Sequence, residues 1–183
     1  MVFRFLIKIV LVFGFLALQC AKCSAQDGNK KVFWTDSLEL SWDLFKEKKK
    51  GYGYMKAMTH SGIMYSVDVE EGQMVIDVKA YFIYGKSWVM KGYKKPELLA
   101  HEQIHFHIAE IYSRKLDAAF EKYRVDFNTY TSKNYSKKMQ ADFDRIFDEM
   151  DAHQKLYDAE TEHGTIKSKQ TAWEIKVREE LGI

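Results

Sequence analysis

The chain has 183 residues, enough for one domain with a substantial core, and no shift in composition divides it into two. Its formal net charge is +2 at pH 7, so charge gives no reason to expect a nucleic-acid partner. Both cysteines, Cys20 and Cys23, fall near the start, which excludes a disulfide scaffold for the rest of the chain.

Residues 1–25 have the layout of a secretory signal peptide. Arg4 and Lys8 make a basic start, an apolar run extends from Ile9 to Leu18, and a small-residue exit ends at Ala25. The run is too short for a membrane span. The residues ahead of Cys20 and Cys23 do not form a lipid-attachment box, so secretion or periplasmic release is expected over a lipoprotein. Cleavage would remove Arg4, Lys8 and Lys22 and no acid, taking the net charge to −1 and leaving no thiol for a metal or a nucleophile. The mature region, 26–183, is expected to be a single domain held by packing, and a chain that is 15% aromatic can supply it.

The first third of the mature chain has strand character. "DSLELSWDLF" (36–45) mixes polar and apolar residues and runs into "KEKKKGYG", which reads as a turn. Residues 61–90 alternate with period two (Met64, Ser66, Asp68 against Tyr65, Val67, Val69) and predict two or three strands, with turns at Glu71-Gly72 and Gly85-Lys86. The remainder is helical. Pro96 suits a first-turn position, and Leu98, Ile104, Ile108, Ile111, Leu116 and Phe120 give a helical stripe to about residue 123. After a break at "DFNTYTSKN", Met139, Phe143, Ile146, Met150 and Leu156 mark a helix over about 136–160, closed by Gly164. Ser168 is expected to cap a last helix through Leu181. The fold class is therefore α+β: a small antiparallel sheet followed by packed helices, with the motif below on the first long helix.

That motif is His101-Glu102-x-x-His105 within "LLAHEQIHFHIAE". On a helix, two histidines four apart leave one face about 40° apart and about 6 Å along the axis. Imidazoles so placed converge on one ion at a Zn–N distance of about 2.0–2.1 Å. Glu102, on the neighbouring strip, is placed to take a proton from a metal-bound water rather than to bind the metal. Imidazole ligation in a hydrolytic site makes Zn2+ the expected cofactor. A catalytic zinc takes three protein ligands, and the same helix offers only Ile108 and Ala109 at the next turn, while His107 lies on the far side. The third ligand must come from elsewhere, and "HQKLYDAETEHG" (153–164) offers the candidates. His163, beside the glycine stop, is the first candidate; Asp158 follows, then Glu160 or Glu162, then His153. Asp158 also suits a supporting contact to a ligating histidine, and Tyr157 suits donation to a developing oxyanion. His60 reads as a loop residue.

These pieces resemble a bacterial domain family of unknown function whose members are described as predicted secreted zinc-dependent proteases. The resemblance rests on "LLAHEQIHFHIAE" and "YDAETEHG" in that order, with "LSWDLF", "THSGIMY" and Trp173 around them, over about residues 34–175. It implies a zincin-like helix with His101, Glu102 and His105 in their usual roles, and it implies that Tyr157, Asp158, Thr161, His163 and Gly164 belong to the site. The function expected is a secreted zinc metallopeptidase acting on a peptide or protein substrate, with Glu102 as general base. An edge strand within 73–90 would pair with the extended substrate, and Tyr81, Phe82, Tyr84 and Trp88 would line a subsite. The rival expectations are a zinc-binding interaction module without turnover and a hydrolase of cell-wall amide bonds.

Overall fold

The alternation between residues 61 and 83 folds as a hairpin. In the computed structural model, which describes residues 30–183 other than 52 and 54, the elements in chain order are β1 (Lys31–Phe33), β2 (Lys46–Lys48), β3 (Ala57–Met58), β4 (Ser61–Glu70), β5 (Gln73–Ile83), β6 (Trp88–Met90), α1 (Pro96–Phe120), α2 (Phe127–Ser132), α3 (Tyr135–Thr161) and α4 (Lys167–Leu181). The expected signal peptide lies outside the described residues. Among those described, no helix is long and apolar enough to cross a membrane.

Strands β4 and β5 pair antiparallel from Ser61↔Phe82 to Glu70↔Gln73. Glu71 and Gly72 close the hairpin at φ of 48° and 80°, the doubly left-handed backbone of a type I′ turn. One face of β5 (Met74, Ile76, Ala80, Phe82) is buried, while Val75 and Asp77 are exposed. That buried face meets the apolar stripe of α1, where Ile104, Ile108, Leu116 and Phe120 are buried; the Phe82 and Phe106 rings lie 6.0 Å apart. From the other side α3 adds Met139, Ile146 and Met150, and α4 adds Trp173, Val177 and Leu181, to one continuous core.

Among the described residues the α+β class is observed, with two small sheets and four α-helices. The first sheet has the order β1-β5-β4 and is antiparallel throughout; the second has the order β2-β6-β3 and is mixed, because β2 runs parallel to β6. Three local expectations are corrected. The lysine-rich stretch read as a turn carries β2 (Lys46–Lys48), since an edge strand tolerates charged side chains. The strand expected to bind substrate is not an edge: β5 and β6 are each central in their sheet, and Phe82 and Trp88 are wholly buried. The edge strands that reach the cleft described below are β3 and, through Ser61, β4. Finally, Ser168 does not cap α4; the N-cap is Ile166, with no side-chain bond.

The two long helices start and stop for local reasons. Pro96 sits in the first turn of α1, where its missing N–H is no loss, with Glu97 beside the positive end of the dipole. The break before α3 holds the short α2, capped by Asp126, whose carboxylate accepts from the Thr129 N–H at 2.9 Å. Helix α3 ends in a run of left-handed backbone, Glu162, His163 and Gly164 at φ of 46°, 54° and 81°. That exit builds the site.

Candidate metal centre

On α1, His101 and Glu102 are each 2% exposed, and His105 leans on the same face. Across from them stands α3. His101 Nε2 lies 3.1 Å and His105 Nε2 3.0 Å from one oxygen, Asp158 Oδ1, and the two imidazole nitrogens are 3.3 Å apart. The partners run in opposite chain directions, since His101 meets Asp158 and His105 meets Gln154, so α1 and α3 are antiparallel here. His163 reaches the same oxygen through Nδ1 at 3.2 Å. One ligand atom each from His101, Asp158 and His163 lie within 4.8 Å of one another, the grouping expected of a cation site.

The "YD-x-x-T-x-HG" pattern has a physical reason at each position. Tyr157 is fully buried and its ring stacks on His101, with centroids 4.6 Å apart at 21°. Its hydroxyl donates to Gln170 Oε1 at 2.7 Å and faces the His101 carbonyl at 3.3 Å. Burial pushes the phenol far above its usual range. Thr161 hydroxyl donates to the Tyr157 carbonyl at 2.7 Å and accepts from the Gly164 N–H at 3.2 Å, which ties off the helix end. The left-handed turn then swings His163 back over Asp158. Gly164 allows this because a Cβ there would meet His101 Cβ and Cγ at 3.0 Å, and because its φ of 81° disfavours any side chain.

Electrostatics favour charge at the centre. Burial alone would raise the Asp158 carboxyl, but hydrogen bonds from His101 and His105 outweigh it and hold the group well below the usual carboxylate range. Burial works against the charged form of His105; contacts with Asp158 outweigh it and the net shift is upward. Glu102 Oε2 is buried with no hydrogen-bond partner among the described residues. A cavity of about 750 Å3 opens over these groups, walled by Met58 of β3 and Met55 just before it, Leu98 from α1, and Phe147 and Met150 from α3.

The residues present fit a divalent ion. Two ligands about 2.0–2.1 Å from a common tetrahedral ion stand about 3.3–3.4 Å apart. The His101, His105 and Asp158 triangle has sides of 3.0, 3.1 and 3.3 Å. The structure thus brings both leading third-ligand candidates to the centre, with Asp158 closing the tighter triangle and His163 approaching through Asp158. The others stand elsewhere. His153 packs between Tyr112 and Trp173, Glu160 accepts the Trp173 indole N–H at 2.7 Å, and Glu162 lines the cavity rim. Tyr157, expected to face an oxyanion, lies beneath His101 with its hydroxyl engaged away from the cavity. His107 is buried on the opposite side of α1, where it accepts the Trp34 indole N–H at 3.1 Å. His60 lies in the link between β3 and β4, outside any helix or strand, as expected of a loop residue.

The sequence reading missed Gln154 and Gln170. Gln154 Oε1 makes a close contact with His105 Nδ1, and Gln170 Oε1 lies 3.2 Å from His101 Nδ1. For Gln154 one signal was available: it stands one helical turn before Asp158, on the same face.

Residues 91–164 match the model of a family described as a bacterial protein of unknown function (DUF922). The matched segment contains α1, α2, α3 and the left-handed exit, and so His101, Glu102, His105, Asp158, His163 and Gly164. It stops short of Gln170 and leaves out both sheets. No curated protein and no solved structure gives a significant match to the chain.

Proposed function

We propose that this protein is a zinc-dependent hydrolase of peptide bonds with a zincin-like centre, secreted or periplasmic through the signal peptide expected at residues 1–25. The observation that carries the reading is the His101, His105 and Asp158 triangle set against the buried, unpartnered Glu102 oxygen in one cavity. The three ligand atoms would hold the ion, and the unpartnered Glu102 oxygen, in a residue lining the same cavity, would serve as base to its water.

In this reading His101, His105 and Asp158 hold the ion, and His163 flanks the Asp158 carboxylate. Bound zinc would supply Lewis acidity, making water a nucleophile near neutral pH. Glu102 takes the proton of that water and returns it to the leaving amine. Its burial keeps competing solvent from the carboxylate, so the proton has one destination. Tyr157 acts as a packing platform that fixes the His101 ring rather than as an oxyanion donor. The cleft suits an extended chain, because β3 presents a sheet edge along it and its walls include apolar side chains for substrate residues.

One observation favours a second reading. His163 Nδ1 stands 3.2 Å from the ligand oxygen, and four protein ligands around an ion would make a closed structural site without turnover. Glu102→Gln separates the two. With zinc added to the mature protein and a mixed peptide library as substrate, the hydrolase reading expects cleavage to fall by about 10²–10⁴ while zinc stays bound. Cleavage equal to that of the wild type, or none by either protein with zinc bound, sinks the hydrolase.

A further inference from the structure

Each histidine of the motif touches a glutamine through the ring nitrogen that faces away from Asp158. Gln154 donates its amide N–H to the His105 backbone carbonyl at 2.9 Å. That bond fixes the side-chain orientation, so the carboxamide oxygen faces the same residue's Nδ1. An amide oxygen only accepts, so this contact puts a proton on His105 Nδ1 and leaves Nε2 to the centre, where it meets Asp158 here and would turn its lone pair to a bound ion. Gln170, from the first turns of α4, does the same for His101. Its oxygen takes the Tyr157 hydroxyl at 2.7 Å and stands 3.2 Å from His101 Nδ1. Its own Nε2 has no partner among the described residues, so its hydrogen bonding is committed to the oxygen side.

We infer that Gln154 and Gln170 are the positioning residues of the centre, each accepting a hydrogen bond from the Nδ1–H of one imidazole and so aiming that ring's Nε2 lone pair at the ion. The inference rests on the metal-ion reading above. It also assigns α4, beyond the segment the bacterial family shares, a part in completing the site. Ligating histidines are commonly oriented by carboxylates or backbone carbonyls. Here both partners are neutral. Two carboxylates, Glu102 and Asp158, already sit in the cavity and match the charge of one divalent ion. Carboxylates in place of both glutamines would leave a buried excess of negative charge.

The test is zinc affinity of the full mature chain, measured by competition with a chromophoric chelator. Gln154→Ala and Gln170→Ala should each bind zinc about 10–100-fold more weakly than wild type. Gln154→Glu and Gln170→Glu, which keep an acceptor oxygen, should recover most of that loss. Gln170→Met, of similar length without an acceptor, serves where the alanine variant does not fold, and should bind as weakly. A second readout does not depend on affinity: in the zinc-loaded protein, the downfield His105 Nδ1–H proton resonance should be present in wild type and absent in Gln154→Ala. Wild type that takes up no zinc overturns the metal reading and this inference together. Wild type that binds one equivalent while the alanine and methionine variants match it within twofold overturns this inference alone.

Discussion

Gly164 tolerates no side chain without moving a ligand. Its φ of 81° and the 3.0 Å approach to His101 both select against a Cβ. Gly164→Ala should lower stability by about 1–3 kcal/mol and weaken zinc binding as the His101 ring is displaced, read by urea denaturation beside chelator competition. A variant with wild-type stability and affinity would show that the close approach does not constrain the ring. His107 makes a different prediction. Burial, with Arg178 adding to it, depresses its pKa to about 4. The folded state thus keeps His107 neutral while the unfolded chain protonates it near 6.5. Its contribution is fully present above pH 6.5 and is lost as pH falls toward 4. Between pH 8 and 5 the loss should be about 2 kcal/mol, and His107→Gln should flatten that part of the urea-denaturation profile. At this scale His101 and His105 were legible because their spacing alone puts them on one face, with Glu102 on the strip beside them. Asp158 and His163 were legible as candidates because acids and histidines cluster where a helix meets a glycine. Gln154 and Gln170 were not. Glutamine is an ordinary helix-surface residue, and their contacts cross 49 and 69 positions of sequence.

The C-terminal end of α3 is the element on which the site turns. Thr161, fully buried, bonds both the Tyr157 carbonyl and the Gly164 N–H, so it joins the last helical turn to the left-handed exit. Thr161→Val keeps the shape and loses both bonds. It should cost about 1–3 kcal/mol, with Thr161→Ser restoring much of the loss by retaining the hydroxyl. Equal denaturation midpoints for the valine and wild-type proteins would remove Thr161 from the account. The long helices could be read from their apolar period and the hairpin from its alternation, because each pattern is local. Strands β2 and β3 could not, since elements of three and two residues carry no period. Nor could the central place of β5. Alternation shows which face of a strand is buried, but the order of strands depends on β1 returning to pair with residues 81–83.

For the molecule as a whole, the centre joins the two long helices that share one core. α1 supplies two imidazoles, α3 the carboxylate, and α4 reaches in through Gln170. Any ion held there binds the folded state alone, so it should stabilise the entire core by mass action. At a free zinc concentration about 100 times the dissociation constant the gain is about 2.7 kcal/mol, or a rise in Tm of about 5–10 °C for a chain of this size. A chelator should reverse it. A Tm that ignores both zinc and chelator would place the four side chains in an ordinary hydrogen-bonded cluster. The most direct measurement is the zinc content of the purified mature protein beside His101→Ala, His105→Ala and Asp158→Ala. The account predicts one equivalent in wild type and in Glu102→Gln, and close to none in the three alanine variants; a full equivalent retained by Asp158→Ala would contradict it.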